Sequence, residues 1–274
     1  MGKLILPRRK LLTLAAPAII SARSARAQFV APPLFSGGGS GGACDPYFAD
    51  VSLLCHFDQS NGATTLVDSS SNAQSVLCSS GSSASTAQFE FGTASLLVNG
   101  GNTAPGGADS LYEFGSGAFT VEAWAYWDGT SASNFPGIVA FWPGFSGTEM
   151  WSLVWNRGSS PATLAFNWST DGSSFSNSVA TSGAYTPAAN TWISYACDRS
   201  GNTFRLYVNG AVVATQTASD TIFGSPSLGT ANIGNWGNSS SENWTGYIDE
   251  VRVTKGVARY AGAYTPATGP FPNC

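Results

Sequence analysis

Trp236 and Trp244 bracket a short polar stretch holding Asn238, Glu242 and Asn243, with Asn235 directly ahead of it. An exposed indole stacks on the C–H face of a sugar ring, and amides or a carboxylate beside it bind the ring hydroxyls. This combination, just ahead of an apolar run at 247–253, predicts a carbohydrate-binding loop. Trp142, close in sequence to Phe145 and Glu149, predicts a second aromatic-rich loop of the same kind. The opposing reading is that such large rings cap the ends of a hydrophobic core. Trp124 and Trp192 lie within strand-like runs instead, where core packing is expected.

Catalytic chemistry finds less material. His56 is the only histidine and no G-x-S-x-G elbow accompanies it, so a packed or strand-face role is expected rather than a triad or a multi-histidine metal site. Asp249 and Glu250 are adjacent, and a regular strand sends adjacent side chains to opposite faces. Asp249 is therefore expected to accept hydrogen bonds from backbone donors near the end of a sheet. Glu122 stands without a neighbouring acid, so a catalytic partner would have to come from another strand. No catalytic residue is assigned. Calcium needs only oxygen ligands from loops, and Asn99, Asn102 and Asp109 are the candidates. With one histidine and no C-x-x-C, structural zinc lacks ligands.

The elements that would position these residues are strands. Charged residues make up only 10% of the chain, and Gly, Ser, Thr and Asn separate short apolar runs, a composition that suits many strands joined by turns. In the run 119–127, Phe119, Val121, Ala123, Ala125 and Trp127 fall on one face, and Thr120, Glu122, Trp124 and Tyr126 on the other. Asn209-Gly210 between the runs 203–208 and 211–214 predicts a hairpin with a type I′ turn, which requires positive φ at both central residues. Further runs at 137–142, 151–155, 163–168, 192–197, 231–233 and 247–253 continue the spacing. The expected fold is all-β, an antiparallel two-sheet jelly-roll sandwich, and 274 residues fit one such domain. A net charge of −4 with sparse Lys and Arg leaves no electrostatic footprint for nucleic acid or an anionic membrane. No segment has the roughly 18 apolar residues that a membrane span needs. Residues 37–42 satisfy G-x-G-x-x-G on paper, but no strand precedes them and no helix follows.

The two ends carry different signals. Arg8, Arg9 and Lys10 precede an apolar run, and Ala25-Arg26-Ala27 completes a secretory signal over 1–27, with cleavage expected before Gln28. The paired arginines resemble a twin-arginine export leader. Residues 28–44 read as a Pro/Gly-rich linker and 45–274 as the folded domain. The five cysteines fit an oxidising compartment. Cys44 and Cys274 could tie the ends together, Cys55 and Cys78 could pair between neighbouring predicted strands, and Cys197 is then the odd one, a small buried hydrophobe.

Residues 51–58, 91–96 and 119–124, then 192–199, the hairpin at 206–210 and the closing run 246–253, resemble in order the strands of laminin G-like, concanavalin A-like jelly-roll domains. The resemblance covers roughly residues 45–270. It implies a module that binds glycans or proteins, sometimes with calcium, and it implies that Cys44 pairs with Cys274, because the family sets its first and last strands side by side. The run 254–260 leading to Tyr264-Thr265-Pro266 is similar to the variant found in bacterial and bacteriophage surface or tail proteins. The same superfamily includes glycoside hydrolases with two glutamates around an aspartate on one strand, a pattern that 248–251 lacks. The expectation is an exported, non-catalytic module for cell-surface polysaccharide. The alternatives are a structural or adhesive protein of a virion or cell surface, contacting other proteins there, and a glycoside hydrolase with an unrecognised acid pair.

Overall fold

The computed structural model describes residues 44–79, 81–101, 103–130, 133–142, 148–224, 231–237 and 242–274. The expected leader at 1–27 and nearly all of the expected linker at 28–44 lie outside the described residues. The strands are β1 (Val51–Cys55), β2 (Thr65–Val67), β3 (Ser75–Cys78), β4 (Ser83–Ser85), β5 (Ser95–Asn99), β6 (Thr103–Pro105), β7 (Phe119–Trp127) and β8 (Gly137–Phe141). They continue as β9 (Trp151–Asn156), β10 (Thr163–Trp168), β11 (Asn177–Ala180), β12 (Trp192–Ser200), β13 (Thr203–Val208), β14 (Ala211–Thr217), β15 (Ala231–Ile233) and β16 (Thr245–Lys255). One sheet runs β14-β13-β12-β7-β16-β5-β4, and the second half of β16 also pairs with β1. The other runs β11-β10-β9-β8-β15-β6-β3-β2. Every pairing between named strands is antiparallel, and the two sheets enclose one main core, as expected for a jelly-roll sandwich.

Strand β7 shows how the period of two becomes a layer. Phe119, Val121, Ala123 and Ala125 enter the core, while Thr120, Glu122, Trp124 and Tyr126 face outward. Between the sheets the rings of Phe119 and Phe166 lie 5.2 Å apart and those of Trp168 and Phe204 stack at 4.2 Å. Asn209 and Gly210 have φ of 48° and 76°, as the hairpin requires. A Cβ on Gly210 would also fall 2.0 Å from the Tyr264 carbonyl oxygen, so the turn and the packing of the tail both demand glycine there.

The outward face of the first sheet is covered by the chain's own tail. Residues 256–274 return across it, and a disulfide joins Cys44 to Cys274 with a Cα–Cα distance of 4.9 Å, the pairing the family resemblance implies. Beneath the tail, Arg252 Nε donates to Glu122 at 2.9 Å and its Nη1 to Asp45 at 3.1 Å. Arg259 reaches the same Asp45 carboxylate at 2.8 Å, and the Tyr260 hydroxyl donates to Glu122. Burial pushes the Asp45 carboxyl up, but Arg259 and Arg252 prevail and hold it below its ordinary value. Two arginines and two carboxylates thus neutralise one another inside the protein.

Several expectations need correction. Cys55 and Cys78 lie on strands of different sheets, and both are free thiols. Cys197 is fully buried, as expected for a core residue. Trp124 is buried, as expected, but neither it nor the half-buried Trp192 joins the cluster between the sheets. They stand on the outward face of the first sheet, because their strand neighbours Ala125 and Ile193 point inward. His56 takes its strand-side role through Nδ1, 2.8 Å from Glu250 Oε1.

Candidate functional site

The second sheet carries the predicted loops at one end of its outward face. Asn232 of β15, Ala140 of β8, Ser152 of β9, Asn167 of β10 and Ser178 of β11 stand in register and form one row of small and polar side chains. The row is outward because the flanking residues Ile233, Phe141, Leu153, Phe166 and Val179 all enter the core. Trp236 lies over this row and donates its indole N–H to Ser152 Oγ at 2.9 Å. Asn232 Nδ2 donates to the Trp142 carbonyl at 2.7 Å, which holds the chain as it leaves β8.

Four rings meet above the row. Trp236 lies 5.0 Å from Trp142, 5.5 Å from Phe175 and 4.7 Å from Phe135, and Trp142 lies 5.4 Å from Phe175. All four are half-buried, so part of each ring meets solvent. The close approach depends on Gly237, where a Cβ would come within 2.1 Å of the Trp142 ring. The two aromatic loops that the sequence marked separately are therefore one surface.

The loop around Trp236 is a small hairpin. Asn235 and Asn243 form a bridge, Asn235 Nδ2 donates to Asn243 Oδ1 at 2.7 Å, and Trp236 N–H donates to the Glu242 carbonyl at 3.2 Å. These amides are buried and hold the hairpin stem closed, so the expected contact of Asn235 and Asn243 with ligand hydroxyls is corrected to a scaffolding role. Trp244 is corrected as well. Its side chain is fully buried in the core, with its indole N–H donating to the Tyr126 carbonyl at 3.0 Å, so it has no face free for stacking. Asn238 and Phe145 lie outside the described residues. Glu242 stays in the hairpin stem opposite Trp236: its Oε2 is buried and without a hydrogen-bond partner among the described residues, and burial pushes its carboxyl up to about 7.

Phe135 and Phe175 were not foreseen, although Phe175 is the lone apolar residue in a run of serines and an asparagine, a signal that polar loops rarely carry by chance. Of the three calcium candidates, two lie among the described residues. Asn99 closes β5 opposite Thr245, Asp109 opens a short 3-10 turn, Asn102 lies outside the described residues, and among the described residues no group of three or more acids, histidines or cysteines could hold a metal. Elsewhere, Asp249 accepts from the backbone N–H groups of Glu90, Phe91 and Glu250, the structural role expected of it. Glu122 is committed to Arg252 and Tyr260. Among the described residues no helix is long and apolar enough to cross a membrane.

Among curated proteins, none matches the chain in a sequence search. Several solved structures share its fold. The binding domain of Paraclostridial Mosquitocidal Protein 1 superposes with a TM-score of 0.55 at 12% identity, over 78% of this chain and 51% of that one. The binding domain of botulinum neurotoxin DC in complex with SialylT gives 0.53 at 17% identity, over 78% and 50%. A structure of botulinum neurotoxin type C, whose cell entry is dependent upon interaction with two ganglioside molecules, gives 0.51 at 15% identity, over 78% and 50%. This chain thus spans about half the length of those chains. Residues 99–259, more than half of the sequence, match a family described as the concanavalin A-like lectin/glucanases superfamily. With its two antiparallel sheets and this match, the chain belongs to the concanavalin A-like lectin/glucanase superfamily.

Proposed function

We propose that the protein is a non-catalytic carbohydrate-binding module whose ligand stacks on Trp236, Trp142 and Phe175. The observation that carries this reading is the ring group itself: half-exposed aromatic faces gathered over a polar row, outside the core, with the unpaired Glu242 carboxylate oxygen in the adjoining hairpin. Stacking faces combined with a few polar groups are what sugar recognition requires. Binding domains of the same fold that engage SialylT or gangliosides support it. The Cys44–Cys274 disulfide supports the accompanying reading of an exported protein, since such bonds persist in oxidising compartments.

A glycan array on the full chain identifies the ligand class, and titration of Trp236→Ala with the best ligand tests the site. Losing one stacking ring is expected to cost about 1–3 kcal/mol, by analogy with bases on aromatic platforms, or roughly 5- to 150-fold in affinity. An unchanged affinity would place the ligand elsewhere.

Glu242 adds a pH dependence. A sugar hydroxyl donating to its unpaired Oε2 favours the ionised carboxylate, so binding is expected to tighten as pH rises through about 7, and Glu242→Gln to flatten the profile. The effect on folding has the opposite sign. A carboxyl whose pKa is raised in the folded state stabilises the fold most below its ordinary range, and that contribution is lost as pH rises through about 7. Calorimetric titration between pH 5 and 9, roughly two units either side of that value, separates the two trends.

A further inference from the structure

The opposite face of the sandwich carries a second aromatic surface. Strand pairing sets Trp192 of β12, Tyr126 of β7, Tyr247 of β16 and Leu97 of β5 side by side in one row across the first sheet. Their neighbours Ile193, Ala125, Ile248 and Leu96 point into the core, so the row points outward. The Tyr126 ring lies 5.5 Å from Trp192 and 5.7 Å from Tyr247, and all three rings are half-buried. The next row, Ser194, Trp124 and Asp249, is closed over. Tyr264 of the tail meets Ser194, and Phe91 packs its ring against Trp124 at 5.5 Å. The covering by the tail thus stops one row short of the three aromatic rings.

Two indole N–H groups here lack an acceptor among the described residues: that of Trp192, in the row itself, and that of Trp124, which is 8% exposed and next to Tyr126 along β7. A buried donor left without a partner costs about 1–3 kcal/mol, and Trp124 is closed over by Phe91, so it is the Trp192 group, in the open row, that calls for an acceptor oxygen from another molecule. No Lys or Arg stands in either row, so the surface offers an anionic partner no cation to pair with. Rings for C–H faces, a donor that needs an oxygen acceptor and two rows without Lys or Arg together describe one ligand chemistry.

We propose that this row is a second glycan-binding surface, which takes a neutral, unbranched polysaccharide chain lying across β12, β7 and β16. It rests on the carbohydrate reading for its ligand class, but shares no residue with the Trp236 site. A chain of several sugars would engage a ring on each of three adjacent strands, which stand about 4.8 Å apart.

The test compares the parent with Trp236→Ala, with Tyr126→Ala plus Tyr247→Ala, and with all three substitutions, each titrated with cellohexaose, xylohexaose and chitohexaose. Melting curves accompany every variant, and Tyr126→Leu plus Tyr247→Leu serves as the second pair should the alanine pair unfold. The expected result is that the parent binds one of these chains, that the row variants lose at least tenfold in affinity for it, and that they keep the Trp236-dependent binding of any array ligand. Binding of a hexasaccharide that is unaffected by the row variants overturns this proposal alone. Failure of the parent to bind any glycan overturns it together with the carbohydrate reading. A parent that self-associates through the row, seen as a change in sedimentation on substitution, overturns it in favour of contact with a second copy.

Discussion

Trp244→Ala is expected to lower the free energy of unfolding by about 3–5 kcal/mol, the usual cost of deleting a large buried ring. The ring is fully enclosed between the sheets, and its N–H bonds the Tyr126 carbonyl at 3.0 Å, so truncation leaves both a cavity and an unpaired acceptor. Trp236 stands at the other end of the same hairpin, half-exposed, and its removal is expected to cost the fold far less. Urea denaturation of the two variants measures the difference. Equal losses would mean that Trp236 is as much a part of the core as Trp244, and the stacking surface would then be lost as an idea.

Glu122→Ala is expected to destabilise by a similar amount, about 3–5 kcal/mol, for an electrostatic reason. Without Glu122, the charges of Arg252 and Arg259 share the single carboxylate of Asp45, and a net positive charge remains buried under the tail. Arg252 also lies over the Phe271 ring at 3.9 Å, so disturbing it loosens the tail beyond the charge network. The variant should therefore be cleaved more readily within residues 256–274 by a protease, as well as melting earlier. Replacing Glu122 and Arg252 together by Leu and Met should recover much of the loss, since an apolar pair leaves Asp45 matched with Arg259. Because the Asp45 carboxyl is held below its ordinary value, its share of this stability is present at neutral pH and is lost as pH falls through the carboxylate range. Melting temperatures of the single and double variants decide the matter. A single variant as stable as the parent would show that the network does not hold the tail.

The contrast between these residues also shows what could be read early. The alternation of β7, the hairpin at Asn209-Gly210 and the backbone-accepting role of Asp249 follow from local rules: a side-chain period of two, positive φ at a tight turn, and the need of buried donors for acceptors. The loop residues Trp142 and Trp236 were recognisable as aromatic rings in polar surroundings. That they form one surface was not, because the stretches are separated by some ninety residues and meet only when β15 pairs with β8.

By itself, then, the sequence determined an all-β sandwich, most of its longer strands and the family to which it belongs, since each of these rests on patterns a few residues long repeated in order, whereas the short strands β2, β4, β6 and β11 carry no such pattern. The tertiary structure decided which tryptophans are inside. Alternation assigns side chains to two sides of a strand but does not say which side meets the other sheet, and β7 carries aromatic residues on both. Docking of the two sheets buried Trp244 and left Trp124, Trp192 and Trp236 on outer faces, and the return of the tail, fastened by Cys44–Cys274 and by the Asp45, Glu122, Arg252 and Arg259 network, then covered part of one face and left the Tyr126 row open. Those contacts join residues more than one hundred positions apart, beyond the reach of any local pattern.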